Sequence, residues 1–332
     1  MRNIPKEFID IIINFKKSQL INTFLKLEIA DILYEKPLTL IELSEKLSLN
    51  PNKLKRIIRG FLFCDLLYFE NNKLNLTEKG QFFCSTENNG EIEWLYSQLD
   101  IHYKVWGELS ESLYNDEIAF EKIFKTSFFE YNNKSPKLSN YFQTNMSNNS
   151  ILISENLLSI YPMDNISNII DIGGGDGTLL LEILKKYSNI DGYVFEKSNV
   201  EHLIKNNIIN SNINRLNYIK GNFFESIPQN FDLYILKLIL HDWDDTNAIK
   251  VLKNCREAMN SNSKLIIIEY VIPDDFTTDQ YYISMDIAMF LLLGGQERTL
   301  TEYQNLLTSA NLSLDFSKPL GYGCHIIQAS IL

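Results

Sequence analysis

Five short apolar runs, NIIDI, GYVFE, LNYIK, FDLYILK and KLIIIEY, follow one another from Asn168 onward, separated by helix-periodic stretches such as TLLLEILKKY and DTNAIKVLKNCREAMN. This alternation constrains the fold more than any other feature of the chain. Near-continuous apolar strands are buried on both faces, which calls for helices on both sides of a parallel sheet. Ligands of such sheets sit beyond the C-terminal strand ends. LSLDFS and CHIIQAS read as two closing strands, so residues 161–332 are expected to form an α/β, doubly wound Rossmann-like domain.

The first part of the chain has a different texture. SQLINTFLKLEIADILYE carries apolar residues at Leu20, Ile21, Phe24, Leu25, Leu27, Ile29 and Ile32, a broad helical face. TLIELSEKL follows with Thr39 as cap and Glu42 three residues on, and a second helix opens at Asn50 and Pro51. Two short strands around Asn71 and Asn72 complete the pattern of a winged helix within residues 1–95. Residues 96–160 read as a helical connector, with the Asn-rich tracts NNKS and SNNS as turns or joints.

Lys53, Lys55, Arg56 and Arg59 on the second helix raise the question of DNA binding. Opposite an apolar face of Leu54, Ile57, Ile58, Phe61 and Leu62, they read instead as a solvated surface or a subunit contact. The formal net charge of −11 and pI near 5.0 also disfavour indiscriminate nucleic-acid binding. The first sixty residues nevertheless hold 11 Lys and Arg against 7 Asp and Glu, so the acidity belongs to the remainder. The four cysteines (Cys64, Cys84, Cys255, Cys324) and four histidines are dispersed, without the spacing of a zinc site or redox pair. No long apolar window and no signal peptide are apparent, so a cytoplasmic protein without membrane contact is expected.

The candidate chemistry lies at the strand ends. Gly173, Gly175 and Gly177 in GGGDG allow a tight turn and close approach of a ligand to a helix N-terminus. Nicotinamide enzymes place GxGxxG there too, but Asp171 before the loop and Asp176 within it suit a cationic nucleoside better than a pyrophosphate. Glu196 ends the next strand, where an acid can accept hydrogen bonds from ribose hydroxyls. In GNFFESIP, Asn222 can bond an adenine edge and Phe223 and Phe224 can cover its face; the plain alternatives are a helix cap and core aromatics. LKLILHDWDD ends an apolar strand in His241. An imidazole of ordinary pKa about 6.5 can take the proton of a positioned phenol of pKa about 10. It needs an orienting carboxylate, and Glu269 at the end of KLIIIEY and Glu297 in GGQERT are the candidates. Asp244 and Asp245 read as the cap of the following helix.

Taken together, IIDIGGGDGTLLLEIL, GNFFESIP, DLYILKLILHDWDD, LKNCREAM and GGQERTLTEYQNLL resemble the S-adenosylmethionine-dependent O-methyltransferases of the caffeic-acid and hydroxyindole type, which include bacterial enzymes of secondary metabolism. FLKLEIADIL through LTEKGQFF resembles that family's winged-helix dimerisation region. The resemblance implies Asp171, Gly173, Gly175, Glu196, Asn222, Phe223, Lys237 and Trp243 as neighbours of S-adenosylmethionine, which leaves as S-adenosylhomocysteine. It implies His241 as base, flanked by Glu269 and Glu297, with Phe142, Met146 and Asp242 toward the acceptor and no metal. A small aromatic hydroxyl compound is the implied substrate and a homodimer the implied assembly. Two positions depart from the family pattern: Glu196 and Asn222 each stand where Asp is usual. Methylation of carbon or nitrogen, a cofactor-assisted rearrangement of the pericyclase kind, and a DNA-binding small-molecule regulator are the alternatives.

Overall fold

The computed structural model describes residues 4–85, 91–197, 200–275 and 280–332. The chain forms two compact units, Met1–Gly107 and Glu108–Leu332.

The first unit contains helices Leu40–Lys46 and Pro51–Phe63 and a hairpin of β1 (Leu67–Glu70) and β2 (Lys73–Leu76). Thr39 and Glu42 form a reciprocal capping box, and the Asn50 side chain accepts from the backbone N–H groups of Asn52 and Lys53. Asn71 and Asn72 both take positive φ, the two-residue turn that suits the twist of paired strands. The apolar stretch expected to make one helix face is instead divided between helices Lys6–Lys26 and Ile29–Glu35. Glu28 at φ 49 breaks it, and Phe24, Ile29, Ala30 and Leu33 enter one core from both pieces. On the helix from Pro51, Leu54, Ile58 and Phe61 are buried at i, i+4 and i+7. Ile57 and Leu62, expected in that face, lie on its flanks and are exposed.

The second unit is built on one sheet: β3 (Asn168–Ile172), β4 (Asp191–Glu196), β5 (Leu216–Lys220), β6 (Leu233–Lys237), β7 (Lys264–Ile272), β8 (Arg298–Thr299), β9 (Leu312–Gly321) and β10 (Cys324–Ile331). The order is β5-β4-β3-β6-β7-β10-β9, with the first five strands parallel, β10 and β9 antiparallel, and β8 paired to the end of β7. The Rossmann-like reading of this region therefore holds. Ile169, Ile170 and Ile172 are all fully buried because core lies on both faces of the sheet. The sheet reverses its winding direction between β3 and β6, which opens a crevice at their C-terminal ends.

One expectation is corrected here. SNNS is no turn but lies within the long helix Pro136–Ile160. Ser150 returns its hydroxyl to the carbonyl of Met146 at 2.8 Å, which lets a small polar residue persist inside a helix. NNKS does end a helix, and Ser135 caps the next one.

Candidate active site

β6 ends at Lys237, and Leu238 turns the chain at φ 53 into a short 3-10 turn, Leu240–Asp242. Glu269, fully buried on the adjacent β7, fixes that turn. Its Oε1 accepts from the backbone N–H groups of Ile239 and Leu240 at 2.9 and 2.7 Å. Its Oε2 stands 3.8 Å from His241 Nδ1. Glu297, just before β8, reaches the same nitrogen from the other side, with Oε1 2.9 Å from Nδ1. Glu297 is itself tethered, because its backbone N–H donates to Asp286 Oδ1 at 2.9 Å. Asp242 lies at the opposite edge of the ring, Oδ1 3.4 Å from Nε2.

Three carboxylates around one buried imidazole set its charge. Burial works against the imidazolium, but Glu269, Glu297 and Asp242 outweigh it and raise the His241 pKa to about 10. Asp242 is pushed up to about 7 by burial, with His241 opposing. Glu269 is raised by burial as well. His102 and His325 go the other way, lowered by burial, which separates His241 from ordinary core histidines.

The glycine loop follows β3, the strand paired directly with β6. Gly173, Gly175 and Gly177 all have positive φ, and a Cβ on Gly173 would fall 2.4 Å from Ile239, on the His241 turn. A Cβ on Gly175 would meet nothing within 4 Å, so backbone there faces open space. Asp176 accepts from Thr178 N–H and from the Ser147 hydroxyl at 2.6 Å, holding the loop to the long helix. Asp171 is buried with both carboxylate oxygens unpartnered, and burial raises it to about 7 although Lys237 pulls it down. Lys237 is lowered by burial, with Asp171 opposing, and donates to Asn149 at 3.2 Å. Glu196 ends β4, where burial raises its pKa and the Lys197 N–H at 2.7 Å lowers it. Orphaned acid at Asp171, a second acid at Glu196 and an open glycine backbone fit a cationic, hydroxyl-bearing nucleoside.

Phe223, Phe224 and Trp243 form an aromatic cluster with ring centroids 4.7 to 6.3 Å apart, and Trp243 Nε1 is buried without a partner. Asn222 accepts from Phe224 N–H and donates to Glu225, so its amide already shapes that turn. Phe142 packs edge-on against Phe128 and Phe129. With Met146 it shares the helix face of Asn149, the residue that reaches Lys237. Asp244 caps helix Asp245–Ala258 through Asn247 N–H at 2.7 Å. Asp245, expected as part of that cap, binds Arg298 and Gln296.

Ligand atoms of His241, Glu269 and Glu297 lie within 4.8 Å of one another. Nδ1 and Glu269 Oε1 serve in internal hydrogen bonds, while Glu269 Oε2 and Glu297 Oε2 are buried without a partner. The residues missed in the sequence are Arg298, Asn149 and Asp286. Arg298 follows Glu297 directly, but nothing in its neighbourhood announces a fully buried guanidinium.

Residues 106–313 match the O-methyltransferase domain family. The phenazine O-methyltransferase PhzM of Lysobacter antibioticus is 30% identical over 92% of this chain and 89% of its own length. A mitomycin biosynthesis 6-O-methyltransferase of Streptomyces lavendulae is 26% identical over 95% and 90%. Among solved structures, LaPhzM superposes with a TM-score of 0.79 at 28% identity, covering 99% of this chain and 100% of that one. An O-methyltransferase of neocarzinostatin biosynthesis, solved with S-adenosylhomocysteine and 1,4-dihydroxy-2-naphthoic acid, gives 0.81 at 25% identity, covering 95% and 96%.

Proposed function

We propose, for a chain that belongs to the S-adenosylmethionine-dependent small-molecule O-methyltransferase family, that His241 is the general base and that the acceptor is an aromatic hydroxyl. The chain is an enzyme that methylates an oxygen of a small molecule. S-adenosylmethionine, when bound, supplies an electrophilic methyl group on a positively charged sulfonium. Asp171, Gly173, Gly175, Glu196 and Lys237 would hold it at the ends of β3, β4 and β6, with Phe223 and Trp243 against its adenine. Glu196 is one methylene longer than Asp and still presents two oxygens to a ribose diol. Asn222 keeps a carbonyl oxygen with a second lone pair for an adenine amine.

The observation that carries this reading is the Nδ1 contact of His241 with Glu297 at 2.9 Å. Nδ1–H donates to that carboxylate, which fixes the tautomer and leaves Nε2 to receive a proton beside Asp242. The acids around the ring raise its affinity for a proton above that of a free imidazole, which favours transfer from the acceptor to Nε2. Alignment and exclusion of water supply the rest, since charge is neutralised as the oxygen attacks. Phe142, Met146 and Asp242 border the acceptor in this reading.

The relatives' names point to flat acceptors such as phenazines and dihydroxynaphthoic acids. In the same reading residues 1–95 serve dimerisation, 96–160 border the acceptor, and 161–332 bind the cofactor. Exposed Phe8, Ile11, Ile12, Phe15 and Phe63 supply an apolar surface for a homodimer. No helix among the described residues is long and apolar enough to cross a membrane, and four free cysteines suit the cytoplasm.

The test is His241→Ala and His241→Gln, assayed with labelled S-adenosylmethionine against a panel of hydroxyphenazines and hydroxynaphthoic acids. Turnover should fall about 100-fold or more with cofactor affinity near normal. Undiminished turnover would remove His241 from the role of base.

A further inference from the structure

We infer that Arg298 is a positioning residue for methyl transfer, one guanidinium that holds the His241 turn and the Glu297 segment at their working separation. This rests on the reading of His241 as the base. Arg298 is fully buried at the start of β8. Its Nη1 donates to the carbonyl of Leu240 at 2.9 Å and, more weakly, to that of Gln296 at 3.4 Å. Its Nη2 donates to the carbonyl of Trp243 at 2.8 Å and to Asp245 Oδ1 at 2.9 Å, and Nε reaches the same carboxylate oxygen at 3.0 Å. Leu240 and Trp243 bracket His241 and Asp242; Gln296 immediately precedes Glu297. The base and its carboxylate, 56 residues apart in sequence, are therefore tied to one planar ion.

The surrounding contacts make the seam tight. Gln296 N–H donates to the His241 carbonyl at 2.9 Å, and its side-chain amide donates to Asp245 Oδ1 at 2.7 Å. Gly295 runs so close that a Cβ there would lie 2.0 Å from the His241 carbonyl oxygen. Only a side chain with several donors fixed in one plane can serve these separate acceptors at once. A lysine ammonium is a single point with three donors and reaches part of the set.

The fold around Arg298 has its own supports. Backbone pairing joins Val271 to Arg298 and Ile272 to Thr299, and a Thr299–Glu302 capping box starts the next helix. The His241 turn is anchored on its N-terminal side by Glu269, and on its C-terminal side by Arg298 through the Trp243 carbonyl. Loss of the guanidinium should thus loosen the position of the imidazole more than the architecture. A displacement of about 1 Å at a reacting group costs on the order of 100-fold in rate.

The test compares Arg298→Lys and Asp245→Asn with His241→Ala in the full chain. It reads kcat and KM for the acceptor, the pH profile of kcat, S-adenosylhomocysteine binding by calorimetry, and the thermal midpoint. Arg298→Lys should lower kcat by roughly 10- to 100-fold and shift the pH profile, with S-adenosylhomocysteine affinity near wild type and a lower midpoint from the acceptors that Lys leaves unserved. Asp245→Asn, at a largely exposed carboxylate, should move kcat and the profile in the same direction by less. Unchanged kcat and pH profile in both variants, while His241→Ala is inactive, would overturn the role of Arg298 and leave that of His241 standing. An active His241→Ala would instead sink the reading of the base. Should Arg298→Lys fail to fold, Asp245→Asn decides, because a folded Asp245→Asn with wild-type kcat and profile overturns the inference.

Discussion

Nδ1 of His241 lies 2.9 Å from Oε1 of Glu297. Glu269 stands farther off, at 3.8 Å, and turns its other oxygen to two backbone N–H groups of the His241 turn. The two acids flanking the imidazole are thus engaged differently, one with the ring and one with the backbone of the turn that carries it.

Replacement should tell the two apart. Glu297→Gln can offer an amide N–H to Nδ1 and favour the wrong tautomer, so kcat should drop by about 100-fold or more with modest change in stability. Glu269→Ala strands two buried N–H donors, each costing about 1–3 kcal/mol, and should show first as a lower midpoint in urea. Equal effects of both variants on stability, or a wild-type rate in Glu297→Gln, would contradict this division.

Asp171 predicts a conflict between stability and binding. Its carboxyl is buried, has no partner on either oxygen and is pushed up to about 7, despite the pull of Lys237. With its folded pKa above the ordinary value, the group contributes stability at low pH that is lost as pH rises from about 4 through about 7. Asn imitates the protonated acid at every pH. In ligand-free protein the midpoint of Asp171→Asn should therefore match wild type near pH 4 and exceed it above pH 7, while affinity for S-adenosylmethionine weakens. A constant difference across pH would show that ionisation of Asp171 is not the cause.

The alternation that defines the sheet was readable because strands buried on both faces must be apolar throughout, as Ile169, Ile170 and Ile172 are. Thr39, Asn50, Asp244 and the Asn71–Asn72 turn were readable because a cap or a tight turn is a local hydrogen-bond problem with few solutions. SNNS misled for the same reason run in reverse: Ser and Asn favour turns only until a helix lets them bond carbonyls four residues back. The division between Glu269 and Glu297 could not be seen, since a carboxylate reads the same whether it meets an imidazole or two backbone amides. Arg298 was illegible because its partners Leu240, Trp243 and Asp245 are more than 50 residues away and two of the acceptors are backbone.

The N-terminal helix gives a prediction about assembly. Phe8, Ile11, Ile12 and Phe15 are between 47% and 68% exposed, more apolar surface than a solvated helix ordinarily shows. A double substitution, Phe8→Lys with Ile12→Glu, should lower the mass by light scattering from that of a dimer to that of a monomer. A wild-type chain that is monomeric at micromolar concentration would refute the dimer outright.

The charge of His241 predicts a proton linkage. In the ligand-free site the ring is held near a pKa of about 10 by Asp242 on its own turn, Glu269 on β7 and Glu297 before β8, with burial opposing. Arg298 and Tyr303 lie behind the acids, Tyr270 beside the ring, and Lys237 at the end of β6. These acids favour the imidazolium in the cofactor-free protein, the form that cannot accept the acceptor's proton. A cation brought near it disfavours the imidazolium, so its pKa should fall and Nε2 should become free. Binding of S-adenosylmethionine at pH 8 should release up to about one proton more than binding of S-adenosylhomocysteine, whose sulfur is uncharged. Calorimetry in two buffers of different ionisation enthalpy measures that difference. His241→Gln should abolish it, and equal proton release by both ligands in the wild type would refute the linkage.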